Sequence, residues 1–450
     1  MNTPWNVFRS GFVFNRKLRW RTVRLRIPRG LRDVEPEEYR RISYLYRKFE
    51  ERAREYGYSL MEPSTIELFE TVCKKSGPDI KNEIYVFRDK SGRELALRFD
   101  LTVGLTRYVV SNPQLALPVK LAAFSVMWRY DEPQFGRYRC FYQWDVEIFG
   151  ADQVMAGGEV VDFSYKYLNS LKIKDIEIRI SSRRIMDRII TKFLPSINPT
   201  EVMRIIDKRD KIGLERVKEL IKAEAKEEKR VEKLIELISR PYSVDEAEKA
   251  VKKIDPEIAE TDEFRNMMRT AIVAESLGAK NILIDFSVVR GLDYYDDVVF
   301  EVMSRSVPEV GAIVGGGSFS TLPRALGRDI TAFGAAGGVE RTLIAMEKLG
   351  INIPAPSPTG LFIAYVDKQF LSYALRAASR LRSSGVPCEV DLTGRKMDRQ
   401  LKYAEKRGYR YVGIIGAHEA ERGTISLKDF VTGEQVELTL DALLREFSQK

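Results

Sequence analysis

Histidine is nearly missing from this chain of 450 residues, which contains one, His418. This scarcity argues against serine or cysteine triads built on histidine, and it excludes metal sites made of several histidines. Cysteine is also rare: Cys73, Cys140 and Cys388 lie in unrelated segments, which favours a reducing compartment over a disulfide framework or a zinc cluster. The chain must therefore work with arginines, carboxylates and amides, a set that suits phosphate-bearing substrates.

Long apolar runs are missing as well. None approaches the roughly 18 residues that a membrane-spanning helix needs, so we expect no membrane partner and, with so few cysteines, a cytoplasmic location. Hydrophobic residues make up 44% of the chain, which is enough to fill the cores of about two or three domains.

Acidic residues are missing from the N-terminus. Residues 1–26 hold seven basic residues and no acidic one, so subtracting those charges from the net +9 leaves +2 for the rest of the chain. Residues 1–27 fit three interpretations: a disordered arm that contacts nucleic acid, an arginine-rich targeting segment, or a stretch that precedes the true start of translation.

A hairpin of two alternating runs is predicted over residues 121–150. In the second run the even positions of 140–148 are apolar and the odd positions are mostly polar, and this period of two indicates a strand with one packed face. The first run behaves alike, and the turn between the runs holds proline and glycine. The opposite face then carries Arg129, Asp131, Arg139, Gln143, Asp145 and Glu147.

Two interpretations of this polar face stay open. One wet face is normal for an antiparallel hairpin, so in the simpler interpretation the charged side chains are solvated. In the other, an arginine, an amide and several carboxylates on one face form a site for a zwitterion that lies beside a phosphate.

Periodicity along the rest of the chain predicts both helices and strands. An amphipathic helix over 36–56 ends at a glycine, and a second hairpin spans 84–99. Residues 183–262 are rich in lysine and glutamate, which favours small packed helices with solvated faces over an insertion that approaches RNA. A glycine-rich strand leads into a helix within 330–350, and Arg341 projects from the start of that helix.

The C-terminal part of the chain has a pattern of its own. Three prolines within 354–358 mark a linker, and residues 360–450 alternate strand and helix, as in an α/β domain with a mostly parallel sheet. A predicted helix over 395–407 holds six basic residues against two acidic ones. These charges suit an RNA backbone, although a merely soluble surface fits the spacing equally well.

Several motifs, in the right order, resemble one known family. Motif 2 of class II aminoacyl-tRNA synthetases, in its histidyl form, resembles the segment WRYDEPQFGRYRCFYQWDVEIFG (128–150), and a signature of the histidyl-tRNA synthetase family resembles VVRGLDYY (288–295). A motif 1 region lies around 57–63, LRFDLTVG (97–104) also resembles the family, and GAAGGVERTL (334–343) resembles motif 3. The resemblance runs from about residue 28 to the C-terminus.

The resemblance implies a fold and a division into domains. We expect an α+β catalytic domain built on an antiparallel sheet flanked by helices, a small helical insertion and a C-terminal α/β domain with a mostly parallel sheet, assembled as a homodimer. The expected segments are a basic N-terminal extension (1–27), a first catalytic part (28–182), a helical insertion (183–275), a second catalytic part (276–352), a linker (353–359) and an anticodon-binding domain (360–450).

The resemblance also implies two-step chemistry. Histidine and ATP, with Mg2+, give histidyl-adenylate and pyrophosphate, and the histidyl group then passes to the 3′ end of tRNA(His). Arg129 is expected to grip the α-phosphate, with the catalytic Arg290 on its other side, because fixed guanidinium groups stabilise charge on phosphoryl oxygens. Asp131 is expected at the adenine and Arg341 at the distal phosphates, while no metal ligand is expected from histidine or cysteine.

The amino-acid pocket and the RNA contacts follow from the same resemblance. Asp100, Thr102 and Gln143 are expected to bind the ammonium group, and Glu147 and Tyr295 to bracket the imidazole, whose two nitrogens need distinct partners. A pocket that hydrogen-bonds a polar side chain rejects apolar competitors by about 10^4-fold, so no editing domain is expected. The candidate contacts to tRNA are Arg137, Arg139, Arg395, Arg399 and Lys402.

Two segments depart from the family's pattern. Asp296 and Asp297 follow RGLDYY where the family often has Thr-Gly, and GGGSFS (315–320) stands where a second signature usually reads GGRYD. The arginine, tyrosine and aspartate of that signature are replaced by Gly317, Ser318 and Phe319.

Two other functions stay open beside the ligase. One is a regulatory protein without aminoacylation, of the type of the ATP phosphoribosyltransferase regulatory subunit, a paralogue that typically lacks the C-terminal domain. The other is a tRNA-binding or amino-acid-sensing module, which predicts no pyrophosphate chemistry.

Overall fold

The computed structural model describes residues 26–76, 78–130, 132, 138–225, 227–289, 295–354 and 360–448. The chain forms two compact units, Met1–Asn352 and Ile353–Lys450. The finer division into six segments stays a prediction, and residues 1–25 of the basic extension and 355–359 of the linker lie outside the described residues. Within the described ranges, no helix is long and apolar enough to cross a membrane.

An eight-stranded sheet organises the first unit. The strands of this unit are β1 (Ser59–Leu60), β2 (Ile66–Leu68), β3 (Val86–Arg88), β4 (Glu94–Leu97), β5 (Val119–Trp128), β6 (Cys140–Phe149), β7 (Ile176–Ser182), β8 (Ile282–Ile284), β9 (Val298–Ser304), β10 (Val314–Ser318) and β11 (Ala332–Gly338). The order in the large sheet is β1-β5-β6-β11-β10-β9-β7-β8, with parallel pairs at the two edges and antiparallel pairs between them. A smaller sheet, β2-β4-β3, contains the predicted second hairpin.

Helices flank this sheet, which confirms the predicted α+β fold of the catalytic part. The first helix begins at Pro36 and its chain reverses at Gly57, whose φ of +72° suits glycine. The helices are α1 (Pro36–Glu55), α2 (Phe69–Ser76), α3 (Thr102–Ser111), α4 (Gln153–Ser170), α5 (Arg183–Phe193), α6 (Pro199–Ile206), α7 (Arg209–Ile212), α8 (Leu214–Glu224), α9 (Glu228–Ile238), α10 (Val244–Ile254), α11 (Pro256–Ala259), α12 (Asp262–Leu277), α13 (Thr321–Ala325) and α14 (Val339–Lys348).

The helix α4 packs closely against α12. A Cβ atom added at Gly158 would lie 2.2 Å from Cγ1 of Val273, so this contact requires glycine. The other side of α4 covers the sheet, where Trp144 of β6 meets the rings of Phe163 and Tyr167 at centroid distances of 5.9 Å and 5.1 Å. Trp144 therefore lies on a packed face, as the period predicted, but the opposite face is buried too, since Leu121, Ala123 and Met127 of β5 belong to the core.

The charged middle of the chain is helical, as predicted. Its helices α5 to α11 bury most of their apolar residues, among them Val231 and Ile238, and expose most of their lysines and glutamates. Tyr242 exchanges two backbone hydrogen bonds of 2.8 Å with Ile284 of β8, which ties this helical region to the main sheet.

The second unit is an α/β domain with a five-stranded sheet. Its elements are β12 (Leu361–Tyr365), α15 (Leu371–Ser383), β13 (Cys388–Val390), α16 (Met397–Lys406), β14 (Tyr411–Ile415), α17 (Ala417–Arg422), β15 (Thr424–Asp429), β16 (Gln435–Thr439) and α18 (Leu440–Ser448). The strand order is β13-β12-β14-β15-β16; the first three strands are parallel, as expected, whereas β15 and β16 add two antiparallel pairs, so the sheet is mixed.

Candidate active site

The floor of the candidate site is the face of the main sheet that points away from α4. On β6 this face carries Gln143, Asp145 and Glu147, and all three are buried. Residues that pair directly across antiparallel strands share a face. The partners of these three on β11 are small: Gly338, Ala336 and Gly334, respectively.

Glycine at position 334 makes room for Glu147. A Cβ atom at Gly334 would lie 1.5 Å from Oε2 of Glu147 and 2.7 Å from the carbonyl oxygen of Val146. Because real Cβ atoms do not approach other heavy atoms so closely, any side chain here would displace the carboxyl group or the strand. The space above the sheet thus depends on the absence of side chains on β11.

A row of hydrogen bonds joins the polar side chains of the floor. Nε2 of Gln143 donates to Oδ1 of Asp145 over 2.7 Å. Oγ1 of Thr102, at the start of α3, lies 2.7 Å from Oε1 of Glu147 and 3.2 Å from Oδ2 of Asp145. The structure thus brings together three of the residues predicted for the amino acid, Thr102, Gln143 and Glu147.

Asp100 joins this group from the loop before α3. Its Oδ1 accepts the backbone N–H of Val103 over 3.0 Å, which holds the carboxyl group at the beginning of the helix. Its other oxygen, Oδ2, is buried without a hydrogen-bond partner among the described residues, as is Oε2 of Glu147. Buried acceptors without donors indicate a place where a ligand supplies the donors.

Burial controls the charge of these carboxyl groups. It raises the pKa of Asp100 to about 6, against the backbone hydrogen bond from Val103 and the nearby charge of Arg129. It raises the pKa of Asp145 to about 7. For Glu147, burial and then repulsion from Asp145 raise the pKa above its ordinary value. A positively charged group would relieve the strain of three carboxyl groups in one dry pocket.

The two predicted phosphate-binding arginines within the described ranges are held by backbone carbonyls. Nε of Arg129, which follows β5, donates to the carbonyl oxygen of Phe99 over 3.0 Å, and its guanidinium lies 5.1 Å from the ring centre of Phe141. Nη1 of Arg341, in the first turn of α14, donates to the carbonyl oxygen of Ala312 over 2.8 Å. Arg129 is close enough to Asp100 and Asp145 to lower the pKa of both.

Tyr295 belongs to a buried cluster that also contains Leu101 and Phe319. A Cβ atom at Gly317 would lie 2.8 Å from the ring of Tyr295, so glycine at this signature position accommodates the ring. Phe319 packs edge-on against Phe149, with ring centres 5.8 Å apart. Phe319 is thus a core residue beneath the site.

The two departures from the family's pattern contact each other. Oγ of Ser318 donates to Oδ1 of Asp296 over 2.5 Å, and the backbone N–H of Thr321 donates to Oδ2 of Asp296 over 2.8 Å. Oγ of Ser182 donates to Oδ1 of Asp297 over 2.6 Å. Asp296 and the serine of GGGSFS are therefore joined directly, whereas Asp297 is bound to the end of β7.

The candidate RNA contacts differ in how they are held. Arg395 forms an ion pair with Asp391 at 2.6 Å and lies 4.0 Å over the ring of Tyr403, which stabilises the loop before α16. Arg399 and Lys402, on α16, are exposed. In the first unit, Arg139 lies 4.0 Å over the ring of Tyr130.

Three predicted site residues, Arg290, Asp131 and Arg137, lie outside the described residues, and their roles stay predictions. Among the residues that the structure does describe, no group of three or more histidine, cysteine, aspartate or glutamate side chains is arranged to hold a metal ion.

Sequence reasoning gave no role to two buried charged residues near the site. Asp145 was expected on the polar face of the hairpin with Gln143 and Glu147, but no individual role was assigned to it. Glu340, in the first turn of α14, accepts the backbone N–H of Tyr142 and pairs with Arg32 at 3.2 Å, which fixes the helix start against the hairpin. No local pattern marks Glu340, because both partners are distant in sequence.

Comparisons with known proteins agree with the fold and the motifs. A family model described as histidyl-tRNA synthetase matches residues 30–342, and one described as an anticodon binding domain matches residues 361–450. The histidine–tRNA ligase of Pyrobaculum arsenaticum is 35% identical over 92% of this chain and 97% of its own length. That of Aeropyrum pernix is 34% identical over 93% of this chain and 96% of its own length.

Solved structures share the architecture. The histidyl-tRNA synthetase from a Nostoc species has a TM-score of 0.78 at 25% identity and covers 95% of this chain and 99% of its own. A Bacillus halodurans protein described as an ATP phosphoribosyltransferase regulatory subunit/histidyl-tRNA synthetase has a TM-score of 0.71 at 21% identity, covering 90% and 99%. At this low identity, the likeness to the Bacillus halodurans protein shows a common fold and no more.

Proposed function

The chain belongs to the histidyl-tRNA synthetase family, and from this premise we propose that it is a cytoplasmic histidine–tRNA ligase. It activates L-histidine with ATP, supplied as the magnesium complex, and transfers the histidyl group to the 3′ end of tRNA(His). The observation that carries the proposal is the buried pocket of Asp100, Thr102, Gln143 and Glu147, two of whose carboxyl oxygens have no donor among the described residues.

The pocket suits the two polar ends of histidine. An ammonium group has donors and no acceptor, so it needs oxygens such as those of Asp100, Thr102 and Gln143. Glu147 accepts a hydrogen bond from one imidazole nitrogen, and Tyr295 serves the other. An apolar amino acid of similar size leaves the buried carboxyl groups unpaired, which explains how the pocket discriminates against it.

In the first reaction, a carboxylate oxygen of histidine attacks the α-phosphorus of ATP. A bond forms between them, the bond to the bridging oxygen of the β-phosphate breaks, and pyrophosphate leaves. We assign Arg129 and Arg290 to opposite sides of the α-phosphate, where they stabilise the growing negative charge. Arg341 holds the distal phosphates, and Asp131 contacts the adenine.

The tRNA contacts and the assembly belong to the same proposal. The C-terminal unit binds the anticodon region, with Arg399 and Lys402 at the RNA backbone, and Arg137 and Arg139 contact the acceptor end. The active species is a homodimer. The match of the anticodon binding domain to residues 361–450 supports the RNA contact and disfavours the regulatory alternative, which typically lacks that domain.

Exchange of labelled pyrophosphate into ATP tests the ligase, with tRNA absent and each of the other amino acids as a control. We expect exchange with histidine alone. Exchange with a different amino acid would overturn the specificity, and no exchange with any amino acid would favour a regulatory or sensing protein.

The variant Arg290→Ala tests the assignment at the α-phosphate. We expect adenylate formation to fall by orders of magnitude while calorimetry shows largely intact histidine binding. An equal loss of both would mean that Arg290 belongs to the amino-acid pocket instead.

A further inference from the structure

Asp145 is a fully buried acid at the centre of the pocket floor, and the proposed function gives it no task. It lies on β6 between Gln143 and Glu147, and the residues paired with it on the neighbouring strands are Ala123 and Ala336. These methyl groups offer it no hydrogen bond. Its two oxygens therefore turn to the polar residues along its own strand and at the start of α3.

The protons of this row can be assigned from the distances. The hydroxyl group of Thr102 has one proton, and Oε1 of Glu147 at 2.7 Å is nearer than Oδ2 of Asp145 at 3.2 Å. The proton thus goes to Glu147, and a lone pair of the hydroxyl oxygen faces Asp145. A proton on Oδ2 of Asp145 completes the row, because it can be donated to Thr102.

The charges around Asp145 agree with this assignment. The groups that face it are the carboxyl groups of Asp100 and Glu147 and the guanidinium of Arg129. Burial and repulsion from Asp100 raise the pKa of Asp145 to about 7, against the hydrogen bond from Gln143 and the charge of Arg129. Asp145 is therefore neutral in a large fraction of the molecules at neutral pH.

The orientation of the Gln143 amide follows from its contact with Asp145. Because Nε2 donates to Oδ1 of Asp145, the amide oxygen Oε1 points away from Asp145. If the amide were reversed, Nε2 would face the pocket and repel an ammonium group.

We propose that Asp145 is a positioning residue of the amino-acid pocket: it holds Gln143 with Oε1 toward the substrate's ammonium group and, through Thr102, holds the carboxyl group of Glu147. This inference rests on the proposed function. Asp145 does not touch the reacting atoms, and it acts through the two residues that it orients.

A matched pair of variants tests the proposal in the full-length protein. In Asp145→Asn, Oδ1 still accepts from Gln143 and Nδ2 donates to Thr102, so the row stays intact. In Asp145→Ala the row is broken and the Gln143 amide can reverse. We expect Asp145→Ala to raise the KM for histidine by about 10- to 30-fold in pyrophosphate exchange, because the charged ammonium group of the substrate loses one hydrogen bond. Asp145→Asn should stay within about 3-fold of wild type.

A double-variant cycle identifies the residue through which Asp145 acts. Once Gln143 is truncated, only the branch through Thr102 to Glu147 remains, so Asp145→Ala should raise the KM for histidine less in the Gln143→Ala background than in the wild-type protein. Additive losses would overturn the proposal, since they would mean that the two residues act independently.

Other outcomes would overturn it too. Equal losses in Asp145→Asn and Asp145→Ala would mean that the charge acts directly on the substrate. A fall in kcat and in melting temperature with an unchanged KM would leave Asp145 a purely structural role. If Asp145→Ala does not fold, Asp145→Ser takes its place, since serine also lacks the carboxyl group that orients the Gln143 amide. If the wild-type protein shows no pyrophosphate exchange with any amino acid, the proposed function itself is refuted before any variant is compared.

Discussion

Replacing Asp145 with asparagine should make the first unit more stable at alkaline pH. The carboxyl group has a pKa of about 7 in the fold, where burial is the main cause of the rise, against 3.8 for an unperturbed aspartate. The folded state therefore binds more protons than the unfolded state between about pH 4 and pH 7, and stability is lost as the pH rises through that window. Above it, the ionised Asp145 destabilises the fold by about 4 kcal/mol.

Asparagine removes this penalty and keeps the hydrogen bonds. It has the shape of the protonated acid, it accepts from Gln143 with Oδ1 and it donates to Thr102 with Nδ2. We therefore expect Asp145→Asn to raise the free energy of unfolding by up to about 4 kcal/mol at pH 8.5, and by about half of that at pH 5.

Urea unfolding followed by tryptophan fluorescence measures this gain in the first compact unit, because all four tryptophans lie in residues 1–144. The matched control is Asp187→Asn, on the exposed surface of α5, which should change the free energy of unfolding by no more than about 0.5 kcal/mol at either pH. A gain that does not depend on pH, or a loss at pH 8.5, would refute the reasoning that Asp145 is a strained, partly protonated acid.

Three further predictions test the site. Gly334→Ala should lower pyrophosphate exchange more than 100-fold, because the new methyl group would lie 1.5 Å from Oε2 of Glu147. An exchange rate within about 3-fold of wild type would contradict the steric argument. Arg399→Ala/Lys402→Ala should weaken tRNA binding and reduce its dependence on salt, measured by filter binding between 50 and 200 mM KCl. The KM for histidine should rise as the pH is lowered from 8 to 6, since burial raises the pKa of Asp100 to about 6 and its protonation removes a charge that attracts the ammonium group. A flat profile would contradict that origin of the affinity.

The central hairpin shows how far a sequence pattern reaches. Its period of two correctly assigned Trp144 to the packed face and Gln143, Asp145 and Glu147 to the other. The pattern could not decide whether that second face is solvated or buried, because both cases alternate in the same way. The answer depends on Thr102 and on the glycines of β11, which are distant in sequence.

Other features were also beyond local patterns. The C-terminal sheet was expected to be mostly parallel because its first strands alternate with helices. The last part of the chain instead contributes β15 and β16, which pair in antiparallel fashion. Phe319 occupies a signature position, yet it packs into the core against Phe149. The sequence marks such a position as unusual, while its environment is decided by tertiary packing.

The glycines of β10 and β11 limit how the specificity of this pocket can be redesigned. Engineers usually enlarge a binding site by trimming the side chains that line it, but at Gly334 and Gly317 nothing is left to trim. A library that aims at a bulkier amino acid must therefore vary the side chains that fill the space over these glycines, Glu147 over Gly334 and Tyr295 over Gly317. Libraries at the glycines would sample only smaller pockets.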